Sequence, residues 1–247
     1  MANVLLRAIP VLIVAALWEI APRAGWVHAE FLPSFTDVGQ AWLRQIVTGE
    51  LPYHAVASLT NCAAGLAGSV VIGVALGVLM ASYPLLNAAV GPLVQLTFPI
   101  PRTALIPIMI VWLGLGAASK IAAIFSGCLL PIIVSAYNGA RGVDQTLIWS
   151  ALALGATRRQ VVWEIVLPAA FPDVMAGIRS AVAIAFVLMV TSEFLVGGRG
   201  LGYLISLLGD AGAYAGMFAV VLTVAGLGFL ADRLYLRTMS WLLRWRE

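Results

Sequence analysis

Between Leu51 and Pro101 the chain carries no Asp, Glu, Lys or Arg. Such a run cannot be the surface of a water-soluble domain, in which roughly a quarter of residues are charged. It is also too long for one membrane span of about 20 residues, so two spans lie within it. The break falls at Ser82-Tyr83-Pro84, where polar groups and a proline interrupt the run. The first of the two spans covers residues 55–81 and holds Gly65, Gly68, Gly73 and Gly77, small residues that let helices approach closely in lipid. The second starts near Leu86 and is interrupted by Pro99, Pro101, Arg102 and Pro107 before resuming through Trp112. Proline removes helix donors, so this span is kinked or discontinuous. Irregular backbone at membrane depth is tolerated only where protein covers it or a cavity runs beside it. An arginine inside such a break is costly, which makes Arg102 a candidate for the solute pathway, or else a neutralising partner of Glu193 or Glu19.

The rest of the chain has the same character: 62% of its 247 residues are hydrophobic and 10% charged, with a mean hydropathy of +1.01. Further apolar runs occupy residues 4–21, 119–137, 174–196 and 214–231, which gives six spans. Arg7 before the first run is compatible with a signal peptide, but Trp18, Glu19, Pro22 and Arg23 spoil a small-residue cleavage site. Residues 34–48 form a short amphipathic helix capped near Ser34 or Thr36, suited by Trp42 and Arg44 to the membrane interface. The fifth span carries Arg179 and Glu193. Glu193 is a second pathway candidate, expected to be paired if the cargo is an anion. Residues 197–213 read as a glycine-rich turn and a short helix, and residues 232–247 as a basic amphipathic tail with Arg233, Arg237, Arg244 and Arg246. Arg7, that tail, and Arg141, Arg158 and Arg159 in the 138–172 loop favour the cytoplasmic side for both termini and the loop.

Several functions are excluded. The basic residues are dispersed, which a nucleic-acid surface does not permit. Cys62 and Cys128 sit in apolar runs and read as small buried hydrophobes, and His28 and His54 have no ligand-like spacing, so no metal site is expected. The only lysine, Lys120, is followed by Ile121, so the chain has no Walker A loop to hold a nucleotide. No Ser-His-Asp or Cys-His set is present, and a membrane-embedded enzyme is disfavoured.

The longest polar-tolerant segment, Arg141 to Pro172, reads as a helix, a tight glycine turn, a second helix and a proline stop. Val143-Asp144, Leu154-Gly155-Ala156-Thr157-Arg158, Leu167-Pro168-Ala169-Ala170 and Gly177-Ile178-Arg179 resemble the cytoplasmic "EAA" loop of ABC importer permeases. Trp149-Ser150-Ala151 stands at the Glu-Ala-Ala position, so only Ala151 matches and the acid is absent. Phe31-Leu32-Pro33-Ser34, Pro99-Ile100-Pro101, Ile110 to Gly116, Ser119-Lys120-Ile121, Ser192 to Leu195 and Gly200 to Ile205 are similar to one branch. That branch serves nitrate, bicarbonate, taurine, aliphatic sulfonates and some vitamin precursors.

The resemblance implies an all-α polytopic permease of the type I importer fold, one domain over residues 1–247, with the coupling loop at residues 141–172. It implies a second permease copy, a pair of ATPase subunits that bind ATP and Mg, and a periplasmic or lipid-anchored solute-binding protein; the chain itself holds no cofactor. In this reading Ala151, Leu154, Gly155, Ala156, Thr157, Arg158, Leu167 and Pro168 contact the ATPase or transmit its motion. The cargo is a small anion carried across the inner membrane. The rivals are a stand-alone secondary transporter or channel, against which stands the absence of an obvious inverted repeat, and a membrane assembly protein without cargo.

Overall fold

A computed structural model describes residues 2–244; Arg246 of the basic tail and the side chain of Arg7 lie outside what it describes. The described chain is helical with no strand. In order it runs α1 (Ala2–Arg23), α2 (Phe35–Val47), α3 (Glu50–Ser82), α4 (Pro84–Thr97), a 3-10 turn at Arg102–Ala104, α5 (Leu105–Leu113), α6 (Ala117–Arg141), α7 (Gln145–Ala153), α8 (Arg158–Gln160), a π-helical stretch at Val161–Val166, α9 (Leu167–Val196), α10 (Leu201–Asp210) and α11 (Tyr214–Leu242). Among the described residues, four helices are long and apolar enough to cross a membrane, or five if the bent α4–α5 pair is one span.

The centre of the molecule is α6, packed between α3 and α9. Positions 65, 69, 73 and 77 of α3 recur every fourth residue and are Gly, Ser, Gly and Gly, all buried. A β-carbon added at Gly65 would lie 2.8 Å from Ile124 Cβ, and one at Gly77 would lie 2.6 Å from the Ile133 carbonyl. The side chains are absent because the α6 backbone occupies their place, which is how helices gain van der Waals contact where lipid gives no hydrophobic drive. Ser69 Oγ donates to Gly65 O within α3 and across to Phe125 O of α6 at 2.9 Å. Cys62, Ile124, Cys128, Ile132, Ala181, Leu188 and Met189 fill the seam, and both cysteines are free and buried, as their apolar surroundings suggest. A second cluster at the other end joins Val78, Ala136 and Ala140 to Val161, Val166 and Ala170.

Three boundaries differ from the sequence reading. Helix α3 starts at Glu50 rather than residue 55, because Leu51 and His54 are buried against α10 and its preceding turn. The tail from Asp232 is not a separate element, since α11 runs without a break to Leu242. The proline stop after the loop is absent: residues Arg158–Val196 form one continuous helical run of 39 residues. The proline ring at 168 would clash with the carbonyl four residues back in an α-helix. Widening the preceding turn relieves that clash, and Leu167 N–H accordingly reaches Val162 O, five residues back, in π geometry.

Candidate functional site

The loop is fixed by local chemistry at every corner. Asp144 caps α7 by accepting from Thr146 N–H at 2.8 Å. At the far end Gly155, at φ +91°, leaves the helix in the left-handed region. Gly155 N–H donates to Leu152 O and Ala156 N–H to Ala151 O, both at 3.0 Å, the paired bonds of a Schellman C-cap. Thr157 then opens the next helix with a capping box: its N–H and hydroxyl donate to Gln160 Oε1 at 2.9 and 2.8 Å, and Gln160 N–H returns to Thr157 Oγ1. A two-residue turn between a C-cap and a capping box has little freedom. Nothing lies within 4 Å of a β-carbon at Gly155, so the requirement there is the positive φ and not space within the chain.

Two faces of α7 have separate surroundings. Ile148 and Ala151, with Ala156 beyond the turn, pack inward on the Val161–Val166 cluster. Ala151 and Ala156 are therefore small where this chain packs against itself. Trp149 is 67% exposed and Leu154 at the tip 89% exposed, with Leu147 and Leu152 also uncovered. Arg158 and Pro168 are exposed, and Leu167 is half-buried against the cluster. The tip of the hairpin thus presents an uncovered apolar surface. A cleft of about 530 Å³ joins the loop to the base of α4, lined by Tyr83, Asn87, Arg141, Trp149 and Arg158 among others.

The second feature is the broken span. Helix α4 and the segment Arg102–Leu113 meet at 92°. Between them Phe98 and Ile100 are exposed. Helix α4 buries none of its residues. The Arg102 stem passes Gly127, where an added β-carbon would collide with Leu188 Cδ1 and sit 3.3 Å from Arg102 Cδ. Its Nε is buried and has no hydrogen-bond partner. The ion pairs among the described residues are Arg23–Glu19 and Arg179–Asp232, so Arg102 neutralises neither Glu193 nor Glu19.

Glu193 lies elsewhere, 0% exposed among α3, α9 and α10. Its Oε2 accepts from Ser58 Oγ at 2.7 Å and from Gly202 N–H at 3.0 Å, while Oε1 has no partner. Leu201 N–H donates to Ser58 Oγ at 2.7 Å, and Gly200 N–H to His54 Nδ1 at 3.0 Å. Three side chains from two spans thus satisfy the first N–H groups of α10, and the helix N-terminus favours the carboxylate. Gly200, at φ +124°, has no side chain because the Glu193 carboxyl group occupies that space. Lys120 secures the turn before α10 by donating to Gly197 O and Arg199 O.

The loop residues are thus gathered into one hairpin, while Arg102 and Glu193 occupy different places. The sequence reading missed Gln160, Ser58, His54 and the clamp by Lys120. Thr157-Arg158-Arg159-Gln160 is a legible capping-box pattern, whereas the other three carry no local signal. No cluster of three metal-ligating side chains exists among the described residues.

The family described as the binding-protein-dependent transport system inner membrane component matches residues 70–238. The taurine transport system permease protein TauC of Escherichia coli is 32% identical over 72% of this chain, and the match spans 65% of that protein, just under two thirds of its length. SsuC of Bacillus subtilis, named for aliphatic sulfonates transport, is 29% identical over 95% of this chain and 85% of its own. Among solved structures, an inward-facing conformation of the MetNI methionine ABC transporter superposes with a TM-score of 0.64 at 24% identity, over 75% of this chain and 93% of that one. That likeness extends to the fold.

Proposed function

This chain belongs to the family of binding-protein-dependent transport system inner membrane components, and on that premise we propose how its loop and its broken span work. It is a multi-pass permease subunit of an ABC transporter, with ATP hydrolysis carried by a separate ATPase subunit and solute delivered by a binding protein. The 141–172 hairpin is its coupling element. Trp149, Leu152 and Leu154 enter a groove on the ATPase, and the Gly155 turn sets the angle between α7 and α8. Arg158, Leu167 and Pro168 lie on the rod that runs into the pore. The observation that carries this is continuity: the capped turn leads into one unbroken run, Arg158–Val196, so displacement of the tip moves the fifth span. With the acid of the Glu-Ala-Ala position replaced by Trp149, docking is apolar there rather than ionic.

Two copies form the pathway. Helix α4 buries none of its residues, and the irregular backbone at residues 98–101 is exposed in one chain. Lipid does not tolerate such backbone, so a second copy or a water-filled lumen covers it. Arg102 then sits at the lumen, and Glu193 holds the wall by capping α10. Adding α1 gives six spans with both termini and the hairpin cytoplasmic, and α10 on the outer side. The cargo is a small anion of the sulfonate, taurine, nitrate or bicarbonate class, in keeping with the names of the relatives.

Gly155→Trp tests the coupling. Co-purified with its ATPase and reconstituted in nanodiscs, the variant is expected to lose binding-protein-stimulated ATP hydrolysis or assembly. A silent substitution would return the secondary-transporter reading to the front.

A further inference from the structure

Lys120 is the only lysine in the chain and is 3% exposed. Its ammonium donates to Gly197 O at 2.8 Å and Arg199 O at 2.7 Å. These carbonyls orient the charge but do not neutralise it, and no carboxylate among the described residues pairs with it. Glu193 lies close enough to act on this charge but not in contact with it, so the ammonium is bonded by carbonyls alone and keeps the capacity to attract an anion. Lys120 also lines an open cavity of about 360 Å³, with Thr60, Asn61, Gly198 and Arg199 in the wall and no acidic residue there. Arg199 is exposed, its guanidinium 4.6 Å above the Tyr53 ring, and it too has no carboxylate partner. Glu193, the acid nearest this ammonium, holds Ser58 and Gly202 N–H with one oxygen, leaves Oε1 unpartnered and is absent from the cavity wall.

The cations follow a line. Gly127, beside which the Arg102 stem lies, is seven residues after Lys120 on α6. Seven residues are two helical turns, so the two positions share a face about 10 Å apart. Arg199 is joined to Lys120 through its own carbonyl at the outer end. From mouth to break the order is Arg199, Lys120, Arg102.

We propose that Arg199, Lys120 and Arg102 form a descending line of cations that receives a small oxyanion in the cavity beside α10 and passes it to the broken span. The inference rests on reading this chain as an importer permease with α10 on the outer side. An ammonium, a guanidinium fork, the Asn61 amide and the Thr60 hydroxyl are all hydrogen-bond donors, which suits a ligand with several acceptor oxygens and one negative charge, such as a sulfonate. A ligand whose only charge is positive would be repelled. The site is a transit stop, holding the anion weakly enough to release it.

The test uses the whole importer, permease with its ATPase and binding protein, in proteoliposomes supplied in turn with labelled butanesulfonate, taurine and nitrate. Lys120→Gln keeps a donor to the carbonyls and removes the charge, Lys120→Arg restores it, and Arg199→Gln alters an exposed side chain whose one contact is the face of the Tyr53 ring. For whichever anion is carried, maximal uptake is expected to fall at least tenfold in Lys120→Gln and about threefold in Arg199→Gln. Lys120→Arg should retain most uptake, and binding-protein-stimulated ATP hydrolysis should persist throughout. Wild-type uptake in both charge-removing variants overturns the cation line and leaves the permease reading intact. Intact stimulated hydrolysis with none of the three anions carried by the wild type removes the anion reading, and this inference with it.

Discussion

At Gly155 a single torsion decides the shape of the loop. At φ +91° a β-carbon is disfavoured even with open space around it, and a left-handed non-glycine residue costs about 1–2 kcal/mol. Gly155→Ala should therefore loosen the hairpin without a clash, seen as faster hydrogen exchange at residues 153–157 with the spans unchanged. Asp144 is the loop's pH-sensitive cap. The Thr146 backbone N–H, and then its side chain, hold the Asp144 carboxyl below the ordinary carboxylate value. A carboxyl lowered by folding stabilises α7 above its unfolded value and loses that contribution as pH falls through the acid range. Exchange at residues 146–148, corrected for intrinsic rate, should thus rise on acidification in the native chain, and Asp144→Asn should remove most of that dependence. At the other end of the molecule, Ser58 and Glu193 act through one shared bond. Glu193→Ala and Ser58→Ala should each lower the apparent melting temperature in detergent. The double variant should lose less than the sum, with a coupling of about 0.5–3 kcal/mol; strict additivity would mean the bond contributes nothing.

At the scale of the helix, the glycine ladder of α3 and the widened turn before Pro168 are the two departures from a simple bundle. Gly77→Leu would drive a side chain into the α6 backbone, where overpacking costs about 1–3 kcal/mol. Gly226→Ala in α11, with nothing within 4 Å, should be neutral or slightly stabilising; thermal unfolding of the pair separates packing from propensity. The ladder and both interruptions, at Tyr83 and at residues 98–101, were legible because glycine, proline and missing charge act locally. The π-helical stretch was not. Pro168 reads as a stop under helix rules, and only the packing of Val161, Val162 and Val166 inside a core shows that the helix continues through it. The α10 cap was illegible for a different reason: Ser58 meets Glu193 across 135 positions, and Lys120 meets Gly197 across 77. No periodicity marks such pairs. Gly155 and the capping box could be found from the sequence because their bonds close within a few residues.

Across the whole molecule, a capped hairpin is joined to a span that borders a bent, charge-bearing break. Helix α9 packs on the 3-10 turn that holds Arg102 and on α6 opposite Gly127, so the rod that starts at the hairpin ends beside the break. A cleft of about 530 Å³ separates the hairpin from the base of α4. The central claim is that hairpin and break move together under control of the ATPase. Spin labels at Leu154→Cys and Ile100→Cys, in a background with Cys62 and Cys128 replaced by Ala, report the distance between permease copies by pulsed electron resonance. In the reconstituted importer, ATP with a hydrolysis-blocked ATPase should shorten the 154–154 distance and shift the 100–100 distance in the same titration, with one midpoint. A shift at position 100 while the 154–154 distance stays fixed, or two separate midpoints, would contradict the account.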